Sequence, residues 1–260
     1  MTEEKRPNNP LAPWTVDLPD DWKVCRLDAV ADVLFSNVDK HTLEGEVPIR
    51  LCNYVDVYKN DYITATIDFM EASAEPREIR RFQLRKGDVL ATKDSEEGDD
   101  IAIPALVAED LPGVICGYHL AMIRPRSNGI TGEFIAWLHR SKQFRAQYEA
   151  RAIGVTRFGL SQYTFRSALI PVPPRQEQER INSYLLHSCT AIDAVAALGT
   201  PRDEARLVNG ILNQQMKTLR TYRNSLIHEC VTGQRRVTDL DVQKDTELRR
   251  SSETQIQHHA

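Results

Sequence analysis

Residues 170–181 read Ile170-Pro171-Val172-Pro173-Pro174-Arg175-Gln176-Glu177-Gln178-Glu179-Arg180-Ile181, and the texture of the chain changes across them. Three prolines within four positions cannot sit inside a helix, because each lacks an N–H and its ring clashes with the preceding turn. They make a stiff lead-in to a helix instead. From Arg175 to about Val231 strand signals almost vanish. Ile181, Leu185, Ser188, Ile192 and Val195 step by four, three, four and three, the spacing of a heptad seam. Leu212, Gln215, Leu219, Tyr222 and Leu226 resume it one residue out of phase. Between the two series, Gly199-Thr200-Pro201 with Asp203 beyond carries break and N-cap signals. The pattern predicts two helices of roughly 24 and 30 residues, which unbroken would span on the order of 80 Å. A bend and a reversal at residues 199–201 both fit it.

Upstream, residues 21 to about 170 hold short β-branched runs cut by Gly, Pro and Asp, such as EVPIRLCNYVDVY, GDVLATK and GVICGYHLAMIRP. Val47, Ile49 and Leu51 alternate as a strand does, and so do Tyr118, Leu120 and Met122. Thr131 to Ala152 differs, with Phe134, Ile135, Leu138, Phe144 and Tyr148 at helical intervals behind a Thr131 start signal. The expected class is α+β: a globular mixed-sheet domain over 21–172, then a long coiled-coil helical arm over 173–236. Residues 1–20 hold four prolines and no period and read as a flexible leader. Residues 237–260 are polar and read as a disordered tail.

The whole chain has 260 residues, 41% of them hydrophobic and 27% charged, which is ordinary for a globular protein. A net charge of −4 argues against coating nucleic acid or anionic membrane by bulk charge. No run of 18 apolar residues is present and the N-terminus lacks an apolar core, so a cytoplasmic protein without a membrane span is expected. The charge is uneven. Residues 21–100 carry 11 basic and 18 acidic side chains, whereas residues 140–170 carry six basic and one acidic. The helical part, 175–236, carries nine basic and six acidic. Cys25, Cys52, Cys116, Cys189 and Cys230 are odd in number and far apart, which favours reduced, buried thiols over metal ligands.

The chemistry-bearing motifs are mostly absent. There is no phosphate-cradling G-x-x-x-x-G-K-[ST], no G-x-G-x-x-G, no H-E-x-x-H and no G-x-S-x-G. Asp88, Lys93 and Asp94 in GDVLATKD form the nearest approach to a metal-dependent nuclease cluster, though Asp88 after Gly87 is more ordinarily a β-turn residue. By elimination the chain reads as a binding module with no catalytic residue, cofactor or metal.

The segment IPVPPRQEQERI, with Pro173, Pro174, Glu177, Gln178 and Ile181 opening a heptad helix, resembles the DNA-specificity (S) subunits of type I restriction–modification systems. LPDDWKVCRL (18–27), LRKGDVLATK, GVTRFGLSQYTFRSALIPVPP and TYRNSLIHECVTGQ follow in the family's order, so the resemblance covers roughly residues 18–237. It implies a subunit that reads a bipartite DNA site through target-recognition domains held apart by antiparallel helices. It also implies partners: methyltransferase (M) subunits that modify adenine and ATP-driven restriction (R) subunits. The chain departs from the pattern by having one domain opening, one P-P-x-x-E-Q helix and no internal repeat, so it looks like half a subunit. A homodimer, or pairing with another S fragment, would supply the second half. The competing readings are a nuclease using Asp88 and Lys93, and a coiled-coil interaction protein with no DNA role.

Base reading needs bidentate donors, while phosphate contacts need only charge or N–H groups. Arg151, Thr156, Arg157, Gln162 and Tyr163 surround a Gly154–Gly159 loop in the basic block, and Lys93 and Arg124 sit at predicted strand ends. These seven are the DNA-contact candidates, against the alternative of a solvated surface. Tyr118 and His119 read as core or turn residues. Ile181, Leu185, Ile192, Leu212, Leu219 and Leu226 are packing residues whose partner is either the other half of a hairpin or a second chain. Pro173, Pro174, Glu177 and Gln178 join them as a subunit-interface set, with helix capping as the simpler role for Glu177 and Gln178.

Overall fold

A computed structural model of the chain describes residues 10, 12–126, 129–198 and 206–244, with the side chains of 198 and 206–212 excepted. In chain order the elements are β1 (Lys23–Arg26), β2 (Ala31–Phe35), β3 (Val47–Cys52), α1 (Tyr54–Lys59), β4 (Tyr62–Ile63), β5 (Met70–Ala74) and α2 (Pro76–Phe82). Then come β6 (Val89–Thr92), β7 (Asp94–Ser95), β8 (Pro104–Val107), β9 (Val114–Cys116), β10 (Leu120–Pro125), α3 (Gly132–Arg140) and α4 (Lys142–Glu149). The last are β11 (Phe158–Gly159), α5 (Gln162–Arg166), β12 (Leu169–Val172), α6 (Arg175–Leu198) and α7 (Arg206–Val231).

The centre is a five-stranded sheet in the order β2-β10-β6-β8-β4, antiparallel except for the β4–β8 pair. Both of its faces are covered, and the sequence alternation sorts side chains between two cores. Val89, Ala91, Ala121 and Ile123 face one core; Leu90, Leu120 and Met122 face the other. The second core is closed by a three-stranded sheet, β5-β3-β9, which contributes Ile49, Leu51, Ala72 and Ile115. The first core is closed by α3, α4 and the inner halves of α6 and α7. Each large apolar side chain removed from water there contributes about 1.5–3 kcal/mol.

The helix expected over 131–152 is two helices. Ser141 ends α3, and its side chain accepts the Phe144 N–H to start α4. Phe134, Ile135, Leu138, Phe144 and Tyr148 are all buried, as their spacing requires.

In the helical arm the reversal, one of the two expected alternatives, is the one adopted. The helices have 24 and 26 residues and pack antiparallel on each other within the chain. Arg223 Nε meets Asp193 at 3.1 Å, and Arg180 Nε donates to the Val237 carbonyl at 3.1 Å. The chain therefore reverses between them, and no single span of the expected length exists among the described residues. Residues 199–201, where the break was expected, lie outside those described. Ile181, Leu185 and Leu226 are fully buried in the chain's own first core, so the inner half of the seam closes without a second chain. Ile192 and Leu219 are half-buried, while Val195 and Tyr222 are exposed on the outer half. The Leu212 side chain lies outside the described residues.

Two boundary expectations also need correcting. In the supposed leader, Ala12, Trp14 and Leu18 are buried in the first core, and Trp14 packs 6.2 Å from Phe144. A proline-rich composition conceals such an anchor because one aromatic makes no period. In the supposed tail, Val237 is buried and Thr238 caps a helical turn by accepting from and donating to residue 241, its hydroxyl reaching Asp241 Oδ2 at 2.7 Å. Residues 1–9 and 245–260 lie outside the described set.

Candidate nucleic-acid interface

The two ends of the central sheet carry different polar chemistry. At one end β6 runs out at Thr92 and β10 begins at Leu120, so Lys93 and His119 are neighbours, the Lys93 N–H donating to the His119 carbonyl at 3.2 Å. Gly117 sets this approach: a Cβ there would stand 2.7 Å from the Cys52 carbonyl oxygen. Lys93 lays its ammonium 4.2 Å from the Tyr118 ring centroid and 5.1 Å from that of Phe35, a cation–π arrangement. Partial burial pushes its pKa down.

Asp94, next in sequence, is the hub. It accepts from His119 Nδ1 at 2.8 Å and from Arg157 Nε at 3.0 Å, and it is itself mostly buried while its two partners are about half exposed. The carboxylate thus fixes two exposed donors in place, and its hydrogen bond raises the Arg157 pKa further. Arg157 arrives on a short hairpin. β11 pairs with β7, and Ile153 and Gly159 exchange backbone hydrogen bonds of 3.1 and 2.9 Å. Between them Gly154, Val155 and Thr156 stand exposed. The surroundings are of mixed sign, since residues 96–100 include Glu96, Glu97, Asp99 and Asp100. Part of that acid is engaged: the Tyr58 hydroxyl donates to Asp100 at 2.6 Å, which pushes its pKa up to about 12, and Lys142 pairs with Asp99.

Of the seven DNA-contact candidates, Lys93, Thr156 and Arg157 share this end. Tyr163 is exposed on α5 with Arg26 above its ring at 5.7 Å. Gln162 and Arg151 are partly occupied, the amide donating to the Val33 carbonyl at 2.7 Å and the guanidinium to the Ser167 hydroxyl at 3.2 Å. α5 is tied to the same end by Phe165, which meets Phe35 edge-on at 5.8 Å.

Arg124 is elsewhere. It lies at the opposite end of the sheet, 19% exposed, with Nε and Nη2 donating to the buried Asp88 at 2.7 and 2.6 Å and a further bond from Nη2 to the Gln83 carbonyl. It is a structural ion pair, not a free reader. The sequence reading missed this because its partner stands 36 residues away. Asp88 also accepts the Arg85 N–H in a turn, so both carboxylate oxygens are engaged, and Lys93 points to Tyr118. The nuclease pairing of Asp88 with Lys93 has no geometry behind it, and no group of three metal-type ligands occurs among the described residues.

The motif of the junction is an internal latch at that same far end. Gln178 is buried and uses its whole amide: Oε1 accepts the Thr131 N–H at 2.9 Å, and Nε2 donates to the Gly129 and Pro173 carbonyls. It joins the start of α6 to the start of α3. Glu177, also buried, accepts the Trp22 indole N–H at 2.9 Å and faces Arg236 at 2.7 Å. Arg236 in turn pairs with Asp21. Glu177, Gln178 and Pro173 are therefore interior residues and offer no surface to another subunit; Pro174 alone of the four is exposed. Tyr118, His119 and Asp94 stand in this cluster although the sequence gives them other roles, the first two as core or turn residues and Asp94 as part of a metal-ligand candidate; the Gly117 before the aromatic-histidine pair is the available signal.

Residues 19–192 match the family model described as "Type I restriction modification DNA specificity domain". The chain belongs to that family. No curated protein sequence matches it. A solved chain from work on complex assembly and conformational transition of the type I R-M system is similar to the specificity domain at 19% identity, TM-score 0.50, over 83% of this chain and 47% of that one. The HsdS subunit from Thermoanaerobacter tengcongensis gives 20%, 0.48, 84% and 46%. The type I S subunit from M. genitalium gives 16%, 0.43, 70% and 42%. The specificity domain thus spans about half the length of the solved chains it matches. No helix among its described residues is long and apolar enough to cross a membrane.

Proposed function

We propose that the chain recognises DNA sequence as the specificity subunit of a type I restriction–modification complex. The observation that carries this reading is the cluster of Lys93, His119 and Arg157 around Asp94, beside exposed Tyr118, at the end of the sheet away from the α6 junction. His119 and Arg157, aligned by a mostly buried acid, and Lys93 beside them match what base-edge reading requires, and the hairpin offers N–H groups to phosphates. Arg151, Thr156, Gln162 and Tyr163 flank the contact surface. The subunit does no chemistry and holds no cofactor; methyltransferase subunits methylate adenine and restriction subunits translocate and cut. It works in the cytoplasm.

The exposed outer half of the α6–α7 hairpin, with Val195 and Tyr222, is the surface through which two copies, or this chain and another S fragment, set two reading heads on a bipartite target.

Co-expression with a type I methyltransferase subunit tests the reading. A complex that methylates one bipartite sequence is expected, and Lys93→Ala with Arg157→Ala should abolish that selectivity while the complex still forms. A complex without sequence preference overturns the proposal.

A further inference from the structure

The most exposed large apolar side chains among the described residues are Val155, 92% exposed, and Ile153, 82% exposed. They stand two residues apart on the hairpin that carries Arg157. Such a pair is costly on a free surface, and this one is also held stiffly. The Ile153–Gly159 hydrogen bonds close the loop, and β11 anchors it to β7. Gly154, at φ +154°, has no room for a side chain: a Cβ would stand 2.0 Å from the Arg157 carbonyl oxygen. Both apolar residues are β-branched, so their rotamers are restricted before anything binds. A rigid apolar tip loses little conformational freedom on insertion. Arginines flank it at 151 and 157, and Arg157 is aligned by Asp94.

We infer that Ile153 and Val155 form a wedge that enters a groove of the duplex and partly unstacks a base step beside the bases read from Lys93. Apolar wedges flanked by cations open base steps in this way and kink the helix. A step that unstacks easily, pyrimidine followed by purine, is the preferred occupant, so the wedge adds selectivity at a position that makes no hydrogen bond. This deepens the DNA-reading assignment and rests on it. Arg157 on the hairpin and Arg151 at its foot are the cations beside the tip, Arg140 and Arg145 of the same block being turned inward onto backbone carbonyls, and the pair favours a polyanion over a protein surface.

The test uses the full chain, with its methyltransferase partner, on duplexes recovered from a pool with a randomised centre. In those duplexes 2-aminopurine is moved along the site. Besides the adenine that the methyltransferase flips, the wild type should raise fluorescence at one further step per half-site. Ile153→Ser with Val155→Ser should remove that signal at saturating protein and weaken binding about ten- to a hundredfold. Both side chains are exposed, so an unchanged thermal melt certifies the fold of the variant. If the wild type recovers no preferred duplex, the DNA-reading assignment itself fails. If it binds selectively but brightens no further step, or the double variant binds and brightens as the wild type does, the wedge is overturned while the assignment stands. Loss of the methyltransferase from the variant, with the brightened step kept, reassigns the tip to a protein contact and likewise overturns it.

Discussion

The two ends of the central sheet use the same residue types to opposite purposes. At the α6 end, Arg124 meets both carboxylate oxygens of Asp88 and the Gln83 carbonyl, and Gln178 spends its amide on three backbone groups. At the other end, one carboxylate, Asp94, is shared by His119 and Arg157, and Lys93 rests on aromatic faces with no acid of its own. Saturated pairing makes a joint, since a buried charge that loses its partner is costly. Incomplete pairing leaves donors oriented and available. Charge counts over sequence segments cannot separate these cases, whereas burial and partner counts do.

The strongest way to break the comparison is Asp88→Ala. It strands a half-buried guanidinium and should lower unfolding stability by about 3–5 kcal/mol in a denaturant titration. A loss near zero would mean that the far end is no more structural than the near one. Next comes acid. His139 is fully buried on α3, its Nδ1–H donating to the Ile135 carbonyl and its Nε2 accepting from Tyr148, and burial pushes its pKa from 6.5 down to about 4. The unfolded chain takes up this proton first, so the contribution is full above pH 6.5 and is lost as the pH falls toward 4. Roughly 3 kcal/mol is at stake, read as melting temperature against pH, and His139→Phe should flatten that limb.

At the reading end the expected effects move from stability to binding. Lys93→Met keeps the stem on Tyr118 and Phe35, so stability should hold within about 0.5 kcal/mol while affinity for the preferred duplex falls by about 1–3 kcal/mol. Smallest is Arg157→Gln. Its exposed pair with Asp94 contributes at most about 1 kcal/mol to stability. The slope of log affinity against log salt should drop by about one if the arginine touches phosphate.

Much of the globular half was legible. Leu120 and Met122 do share a face, as do Ile49 and Leu51, because successive side chains of a strand point to opposite faces of the sheet. The helical seam was legible too, but not its partner. Ile181 and Leu226 would show the same spacing against a neighbouring chain as against each other, so periodicity could not reveal a hairpin. Lys93 and Arg157 were found as cations in favourable places. Arg124 met the same criteria and belongs to the interior, because long-range pairing leaves no local trace. Asp94, which holds His119 and Arg157, reads in sequence beside Asp88 and Lys93 as a metal-ligand candidate, because its two partners stand 25 and 63 positions away.

Asp21 and Arg236, 215 positions apart, hold hands across the Trp22–Glu177 latch. Contacts of that separation are the slowest kind to form, since the chain between them must first be ordered. Trp22 is synthesised early and its indole N–H has its Glu177 acceptor only after 155 further residues are made. Synthesis is therefore also a clock. The reading head cannot complete its core until the second helix has been made, so premature truncation anywhere in α7 should yield chains degraded by quality control and not weak binders that compete for DNA.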